Sequence, residues 1–299
     1  MVKDVRFGVL TIQNLPWKKE IERWKLIEKL GFDSVWIADH FTDPVNPTGH
    51  WFESWTLLAS LAVVTEKIRI GTLATSIPLR NPAIVARQAL TIDHISNGRL
   101  ELGIGTGVLG NIDPVYKMIG IEDWSGKERV TRFKEQIEMI DRLLRQGVSS
   151  YNGKFYKLNE AAMNPPTIQK PRPPLTIGAI GNSMLKIAAQ YADTWNTHGA
   201  SEWDTPVDKI INNVRMRATL IDRYCEEIGR DPETLNRSIL FYSQFGRNII
   251  NSKDNFRKIV QQYKEEMGIN EFIIYFPFFD PKQIQNITSL ANDVIPNLR

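Results

Sequence analysis

The strongest constraint on the fold is an alternation of strand-like and helix-like segments along the whole chain. Short runs rich in apolar and β-branched residues, typical of parallel strands buried on both faces, alternate with segments whose apolar residues recur at helical spacing. Eight strands are predicted: Arg6–Ile12, Ser34–Ala38, Ile68–Thr75, Leu100–Ile104, Leu175–Ala179, Thr194–Thr197, Ser238–Phe245 and Phe272–Phe276. Each is followed by a helical pattern, as in a (β/α)8 TIM barrel, and 299 residues are typical of that fold. A doubly wound open sheet is the alternative, although no Gly-x-Gly-x-x-Gly follows the first strand.

Helix boundaries and one insertion complete the predicted architecture. Four helix starts place a capping side chain before a proline, an arrangement that suits the first helical turn: Asn81-Pro82, Thr205-Pro206, Asp231-Pro232 and Asp280-Pro281. The segment 149–174 interrupts the alternation, because Asn152-Gly153 predicts a β-hairpin and a proline-rich stretch follows it. We therefore predict an α/β protein with a single barrel domain, residues 1–299, that carries this insertion.

Composition excludes several classes of protein. With 37 Lys and Arg against 34 Asp and Glu, the net charge is +3 and no basic stripe predicts a nucleic-acid partner. A single cysteine, Cys225, excludes an internal disulfide framework and is expected to pack in the core. The four histidines lack the spacing of a metal site, and no apolar run is long enough to span a membrane. These features predict a cytoplasmic protein without a metal.

The candidate site lies at the carboxyl ends of the predicted strands. Asp39-His40 ends the second strand, where a histidine can exchange protons near neutral pH or can simply make a surface contact beside a capping aspartate. The glycine-rich turn 102–108 lets the backbone approach a flat ring or a phosphate, although such turns are common at strand ends. The segment 177–183 leads into a helix beginning near Ser183, whose amide groups suit a phosphate; a tight capped turn is the alternative.

Taken together, four segments resemble the luciferase-like monooxygenase superfamily, and within it the oxidoreductases that use the deazaflavin coenzyme F420. They are GFDSVWIADHF at 31–41, KIRIGTLATSIPLRNPAIVARQALTIDHISNGRLELGIGTG at 67–107, YNGKFYKL at 151–158 and PPLTIGAIGNSMLKIAAQYADTWNT at 173–197. The resemblance runs the length of the chain and implies a bacterial luciferase-like barrel. It is less specific for the cofactor, because flavin-using members share much of the pattern.

The resemblance implies roles for individual positions. His40 would be the catalytic residue that faces the ring, and Asp39 would contact the deazaflavin or its ribityl chain. The third strand would lie behind the ring and contact it through Thr72, Leu73, Ala74, Thr75 and Ser76. A cis peptide is predicted in this strand, between Leu73 and Ala74. The ring edge and side chain would be held by Thr106, Gly107 and Asn111, and the phosphate-bearing tail by Ile180, Gly181, Ser183 and Met184. Candidate substrate contacts are Trp195, His198 and Phe276.

One departure from the family pattern narrows the range of reactions that we expect. F420-dependent glucose-6-phosphate dehydrogenases carry a glutamate after the Thr-Gly pair, where this chain has Val108, and no lysine for a sugar phosphate is evident after the sixth strand. The leading hypothesis is therefore hydride transfer between F420 and a small organic substrate, either an alcohol or an activated double bond. The alternatives are an FMN-dependent monooxygenase that uses O2 and reduced flavin, and a non-catalytic binding module.

The resemblance also implies a homodimer. The apolar helices predicted at 52–64 and 82–95 are the candidate contributors to its interface. Packing of both helices against the barrel alone is the other interpretation.

Overall fold

A computed structural model describes residues 4–44, 46–108 and 114–299 of the chain. Its strands are β1 Arg6–Thr11, β2 Ser34–Ile37, β3 Arg69–Thr72, β4 Thr75–Ser76, β5 Leu100–Gly105, β6 Val148–Asn152, β7 Lys157–Ala162, β8 Leu175–Gly178, β9 Thr194–Thr197, β10 Asn236–Phe241 and β11 Glu271–Tyr275. Its helices are α1 Trp17–Lys29, α2 Ser54–Val64, α3 Pro82–Ile95, α4 Val115–Ile119, α5 Gly126–Arg145, α6 Asn182–Tyr191, α7 Val207–Glu227, α8 Ser243–Ile249, α9 Lys253–Met267 and α10 Pro281–Asp293.

The main sheet confirms the predicted (β/α)8 barrel. Its strands run in the order β3-β2-β1-β11-β10-β9-β8-β5-β4, and a further pairing of β3 with β5 closes the sheet. The recorded ladders are parallel, for example β1 with β11 from Arg6↔Glu271 to Leu10↔Tyr275. Closure excludes the doubly wound open sheet. The chain divides into two compact units, the first comprising residues 1–12, 17–36 and 176–299 and the second 13–16 and 37–175, and each is described by itself below.

In the first unit, aromatic rings and one buried polar group hold the strands together. Phe7 and Phe272 stack with ring centroids 5.7 Å apart, and Phe241 lies 5.9 Å from Phe272. The buried Ser34 hydroxyl donates to Glu271 Oε1 at 2.9 Å. A Cβ at Gly8 would lie 2.3 Å from Ser34 Oγ, so only glycine allows this approach.

In the second unit, the third barrel strand is broken into β3 and β4. The Leu73–Ala74 peptide between them is cis, which confirms that prediction. After the break, Thr75 pairs with Ile104 and Ser76 with Gly105 of β5. The hairpin at Asn152-Gly153 is also confirmed, because β6 and β7 pair antiparallel.

Two boundary predictions were wrong. The strand predicted at Ser238–Phe245 ends at Phe241, and α8 begins at Ser243. A Cβ at Gly246 would lie 1.8 Å from the Phe241 carbonyl oxygen, so the chain turns back on itself where an apolar run suggested continued extension.

The second error is the cap at Thr205. Helix α7 begins at Val207 without a side-chain cap, because the Thr205 hydroxyl accepts instead from the amide groups of Ser201 and Glu202. The other three caps are confirmed: Asn81 accepts from Ala83 N, Asp280 from Gln283 N, and Asp231 from Glu233 N at the start of a short 3-10 turn.

Two properties of the described residues bear on the chemistry of the chain. Among residues 4–44, 46–108 and 114–299, no helix is long and apolar enough to cross a membrane. The same residues contain no group of three or more His, Cys, Asp or Glu side chains that could hold a metal ion. Cys225 is fully buried, as expected for a core residue.

Candidate functional site

In the second unit, Asp39 is buried at the end of β2 and its carboxylate receives four hydrogen bonds. One oxygen accepts from Ser54 Oγ and Arg80 Nη2, both at 2.5 Å. The other accepts from the Ser76 amide at 2.9 Å and from Arg80 Nε at 3.1 Å. The paired bonds from one guanidinium are the strongest geometry available to a carboxylate. Asp39 therefore anchors the backbone at β4, and its predicted contact with a cofactor stays a prediction.

Arg80 extends this anchor to the start of α2. Its Nη2 also donates to Glu53 Oε1 at 2.6 Å, while Glu53 caps α2 by accepting from Thr56 N at 2.7 Å. Burial alone would lower the pKa of the Arg80 guanidinium, but the hydrogen bonds and charges of Asp39 and Glu53 raise it above its usual value. We call Asp39, Glu53, Ser54 and Arg80 the Asp39 cluster. Arg80 was missed in the sequence, where no local pattern links it to a residue 41 positions earlier.

His40 follows directly and is half-buried. Its carbonyl oxygen accepts from Trp51 Nε1 at 2.9 Å, and the two rings meet edge to face with centroids 6.1 Å apart. The tryptophan therefore fixes the backbone and limits the orientations of the imidazole.

Hydrogen bonds within the second unit fix the position of the segment from Thr72 to Ser76. The buried Thr72 and Thr75 hydroxyls lie 2.7 Å apart, and Thr72 also donates to the Gly103 carbonyl oxygen at 3.0 Å. Leu73 N donates to the Ile37 carbonyl oxygen at 2.8 Å. Because these hydroxyls are engaged with each other, any cofactor contact here would involve Leu73, Ala74, Ser76 or the backbone.

The glycine-rich turn lies against this segment. Gly107 has φ +76°, and a Cβ there would lie 2.8 Å from Ser76 Oγ, so the turn requires glycine. Thr106 is half-buried beside it. Asn111, predicted to hold the cofactor, lies outside the described residues.

Arg129 of α5 holds the glycine-rich turn in place and was also missed in the sequence. Its Nη1 donates to the Thr106 carbonyl oxygen and to the Tyr116 hydroxyl, both at 3.0 Å. Tyr116 in turn donates to the Val108 carbonyl oxygen at 2.7 Å. No local sequence pattern links Arg129 to its partner, because Thr106 lies 23 positions earlier.

Gln13 presents an unused acceptor in the same unit. Its Nε2 donates to the Ala38 carbonyl oxygen at 2.5 Å, while its buried Oε1 has no partner among the described residues. Leaving a buried acceptor unpaired costs about 1–3 kcal/mol. A ligand N–H or O–H would remove that cost.

In the first unit, the start of α6 is open and uncapped. Gly181 occupies the N-cap position, so no side chain bonds the first amide groups. A Cβ added at Gly178 or Gly181 would meet no atom within 4 Å. Ser183 and the half-exposed Ile180 are accessible there, whereas Met184 is buried.

Two predicted substrate contacts in the first unit are enclosed. Trp195 and Phe276 are both fully buried, and Trp195 Nε1 donates to the Ala179 carbonyl oxygen at 2.9 Å. Their roles as substrate contacts stay predictions.

His198, the third candidate, carries a strongly shifted pKa. Its buried Nδ1 has no partner among the described residues, and its carbonyl oxygen accepts from Arg217. Burial and then the Arg217 charge lower the pKa of His198 from 6.5 to about 4, although a hydrogen bond to the Ala200 backbone opposes the shift. The imidazole is therefore neutral at pH 7.

This shift predicts a loss of stability in mild acid. Between pH 6.5 and about 4 the unfolded chain binds a proton at His198 that the folded chain does not, so the free energy of unfolding decreases as the pH falls through this window. The expected loss is about 3 kcal/mol. Urea denaturation at pH 7 and pH 4 measures it. A His198→Gln protein should lose most of this pH dependence, and a matched change at the exposed His50 should retain it; equal dependence in both variants would contradict the assignment.

Comparison with known proteins places these features in a family. The profile of the luciferase-like monooxygenases matches residues 5–283. An F420-dependent glucose-6-phosphate dehydrogenase from Amycolatopsis mediterranei is 25% identical, over 91% of this chain and 92% of its own. The oxygenase component of a flavin-dependent trigonelline monooxygenase from Acinetobacter baylyi is also 25% identical, over 93% of this chain and 78% of its own. Among solved structures, an F420-dependent secondary alcohol dehydrogenase in complex with an F420–acetone adduct superposes with a TM-score of 0.82 at 19% identity, covering 99% of this chain and 100% of the other.

Proposed function

The chain belongs to the luciferase-like monooxygenase family, and from this membership we propose that it is an oxidoreductase that uses coenzyme F420. The proposed reaction is hydride transfer between the deazaflavin and a small organic substrate, an alcohol or an activated double bond. F420-dependent enzymes are among the relatives in sequence and in fold. The proposed compartment is the cytoplasm.

The residues of the second unit fit a deazaflavin ring. Such a ring carries an edge of carbonyl and N–H groups, which need both donors and acceptors. Gln13 Oε1 supplies a buried acceptor without a partner among the described residues. Backbone groups lie close at Gly107, where a side chain would collide with Ser76. We propose that the segment from Thr72 to Ser76, with Thr106 and Gly107, contacts the ring.

The proposal of F420 in preference to FMN rests on the charge at the start of α6. F420 holds its phosphate as a diester with one negative charge, whereas a phosphate monoester such as FMN carries −1.5 to −2 at pH 7. The first turn of α6 offers uncapped amide groups and the Ser183 hydroxyl, but no basic side chain. A helix N-terminus supplies only about half a positive charge. This half charge leaves less negative charge uncompensated on a phosphate diester than on a phosphate monoester. We therefore propose that the diester of F420 is contacted by Ile180, Gly181, Ser183 and Met184.

His40 is the proposed group for proton exchange. When bound, F420 supplies the hydride acceptor or donor. In the direction of alcohol oxidation, His40 takes the proton from the substrate hydroxyl, and in the reverse direction it returns that proton to the carbonyl oxygen. Val108 stands where related dehydrogenases carry a glutamate, so the second unit offers no acid at that position. Asp39 acts through the backbone it anchors, because its carboxylate already accepts four hydrogen bonds.

Separate titrations with F420 and FMN test the cofactor assignment. We expect F420 to bind and FMN to bind more weakly, because a dianion is less well balanced at α6. A Gly181→Asp protein should lose at least tenfold in F420 affinity, since the new carboxylate would enter open space beside the phosphate. Gly126→Asp, placed in equally open space at the start of α5, is the matched control and should bind normally. Oxygen-dependent turnover with reduced FMN, and none with F420, would overturn the assignment.

The FMN-dependent monooxygenase remains the second candidate. It is favoured by the trigonelline monooxygenase component, which matches 93% of the chain at the same identity as the F420 relative. The same titrations and a test for oxygen consumption separate the two.

We also propose a homodimer formed through α2 and α3. These helices expose Val63 (73%) and Ile84 (58%), large apolar side chains that a partner could cover. Sedimentation at micromolar concentration should show twice the 34.3 kDa chain mass, and a Val63→Glu, Ile84→Glu protein should sediment as the monomer. A monomeric wild-type protein would reject the proposal.

A further inference from the structure

Three large aromatic side chains are exposed together in the first unit, beyond the ends of β9, β10 and β11. Trp203 is 40% exposed, Tyr242 39% and Phe278 42%. Trp203 and Tyr242 meet edge to face with ring centroids 5.5 Å apart. The Trp203 carbonyl oxygen also accepts from Gln244 N at 2.9 Å, which ties its loop to the start of α8. The rings therefore form a fixed, partly open aromatic surface.

A guanidinium group lies on this surface. The guanidinium carbon of Arg247 in α8 lies 4.8 Å from the ring centroid of Phe278 and 5.8 Å from that of Trp203. Its side chain has no carboxylate partner and no hydrogen-bond acceptor among the described residues. The N–H groups of this guanidinium are therefore available for a carboxylate.

A cavity of about 530 Å³ adjoins this group, with Arg247, Asn248, Phe278 and Gln283 in its lining. This volume is in the range of small-molecule sites. Two cations, Arg247 and Lys282, line it against one carboxylate, Asp280. That carboxylate is engaged in capping α10, where it accepts from Gln283 N at 3.0 Å. The balance of charge favours an anion, and the aromatic surface favours a flat one.

We infer that this cavity is a subsite for a flat organic carboxylate, which would bind Arg247 through its carboxylate and rest its conjugated part on Phe278, the aromatic side chain in the cavity lining. The inference rests on the proposed function, whose substrate class it narrows to an alcohol or activated double bond that carries a carboxylate. Gln283 Oε1, buried without a partner among the described residues, offers an acceptor for a hydroxyl on the same ligand.

Calorimetric titration of the protein without cofactor tests the subsite, using cinnamate and its neutral analogue cinnamamide. Cinnamate should bind at least tenfold more tightly than cinnamamide, because a carboxylate forms an ion pair with the guanidinium and accepts two parallel hydrogen bonds from it, whereas the amide is neutral and has a single acceptor oxygen. Arg247→Met keeps the apolar stem and should weaken cinnamate at least tenfold while weakening cinnamamide much less. Phe278→Leu should weaken both. Arg257→Met is the matched control, because this exposed arginine pairs with Asp254 and with the Asp293 carbonyl oxygen and lies outside the cavity lining. Thermal melting of each variant verifies that it is folded.

Three results would overturn the inference: equal affinity for the two probes, no cinnamate binding up to about 10 mM, or cinnamate binding that survives Arg247→Met. A fourth would reassign the cavity to the glutamyl carboxylates of the cofactor, namely weaker F420 binding in Arg247→Met with no heat from cinnamate. Because the titrations contain no cofactor, they succeed or fail independently of the F420 assignment.

Discussion

Replacing His40 with alanine should lower turnover by about 10²–10⁴-fold, the usual loss on removing a positioned general acid or base. His40 lies three residues beyond the end of β2, and its backbone is fixed by the hydrogen bond from Trp51. Because the imidazole is only half-buried, its removal leaves no large cavity. The variant should therefore keep its fold and its affinity for the cofactor.

Glutamine at position 40 distinguishes proton exchange from simple positioning. Glutamine can hydrogen-bond but cannot carry the proton, so His40→Gln should recover little of the lost rate. Single-turnover hydride transfer, followed by the cofactor absorbance, measures this step without product release. The exposed His50, changed to alanine, is the matched control and should react at the wild-type rate. If His40 only positions the ring, cofactor binding should weaken in the alanine variant and glutamine should restore the rate. Near-wild-type rates in both variants would remove His40 from the mechanism.

The barrel could be predicted from the sequence because its determinants are local. Strands such as β1 and β11 are buried on both faces and therefore appear as continuous apolar runs. The caps at Asn81 and Asp280 act within three residues of their own position, so their sequence pattern is sufficient. The prediction failed at α8, where the turn depends on the fit of Gly246 against the Phe241 carbonyl. An apolar run gives no sign of such a contact.

The candidate site was only partly predictable, because some of its contacts depend on the tertiary fold and not on the local sequence. His40 and the glycine-rich turn were found because they lie at strand ends, which the periodicity locates. Arg80 and Arg129 were not, because their partners are set by the tertiary fold: Arg80 meets Asp39 41 positions away, and Arg129 meets Thr106 23 positions away. No local pattern in the sequence connects either arginine with a partner so far along the chain.

Asp39→Asn should be the most destabilising single change in the candidate site. The Asp39 side chain is fully enclosed and that of Arg80 is only 16% exposed. Removing one partner of a buried pair typically costs about 3–5 kcal/mol, and the half-exposed Glu53 carboxylate would compensate only part of the remaining Arg80 charge. The amide would also lose at least one of the bonds from Arg80, since its nitrogen cannot accept. Urea denaturation measures the loss, and Asp254→Asn, in an exposed ion pair on α9, is the control that should change little.

The double variant Asp39→Asn, Arg80→Met decides whether the buried charge is the cause. With both charges absent only Glu53 loses a partner, and its side chain is 49% exposed to solvent, so the double variant should be more stable than Asp39→Asn alone. Cofactor affinity should be lowered in both variants, because asparagine at position 39 deprives the Ser76 amide of its bond to a carboxylate. The ion pair would then account for the loss of stability, and the anchoring of β4 for the loss of cofactor affinity. If the losses in the free energy of unfolding measured for Asp39→Asn and for Arg80→Met simply add in the double variant, the two charges are not coupled and Asp39 is not the anchor of this site.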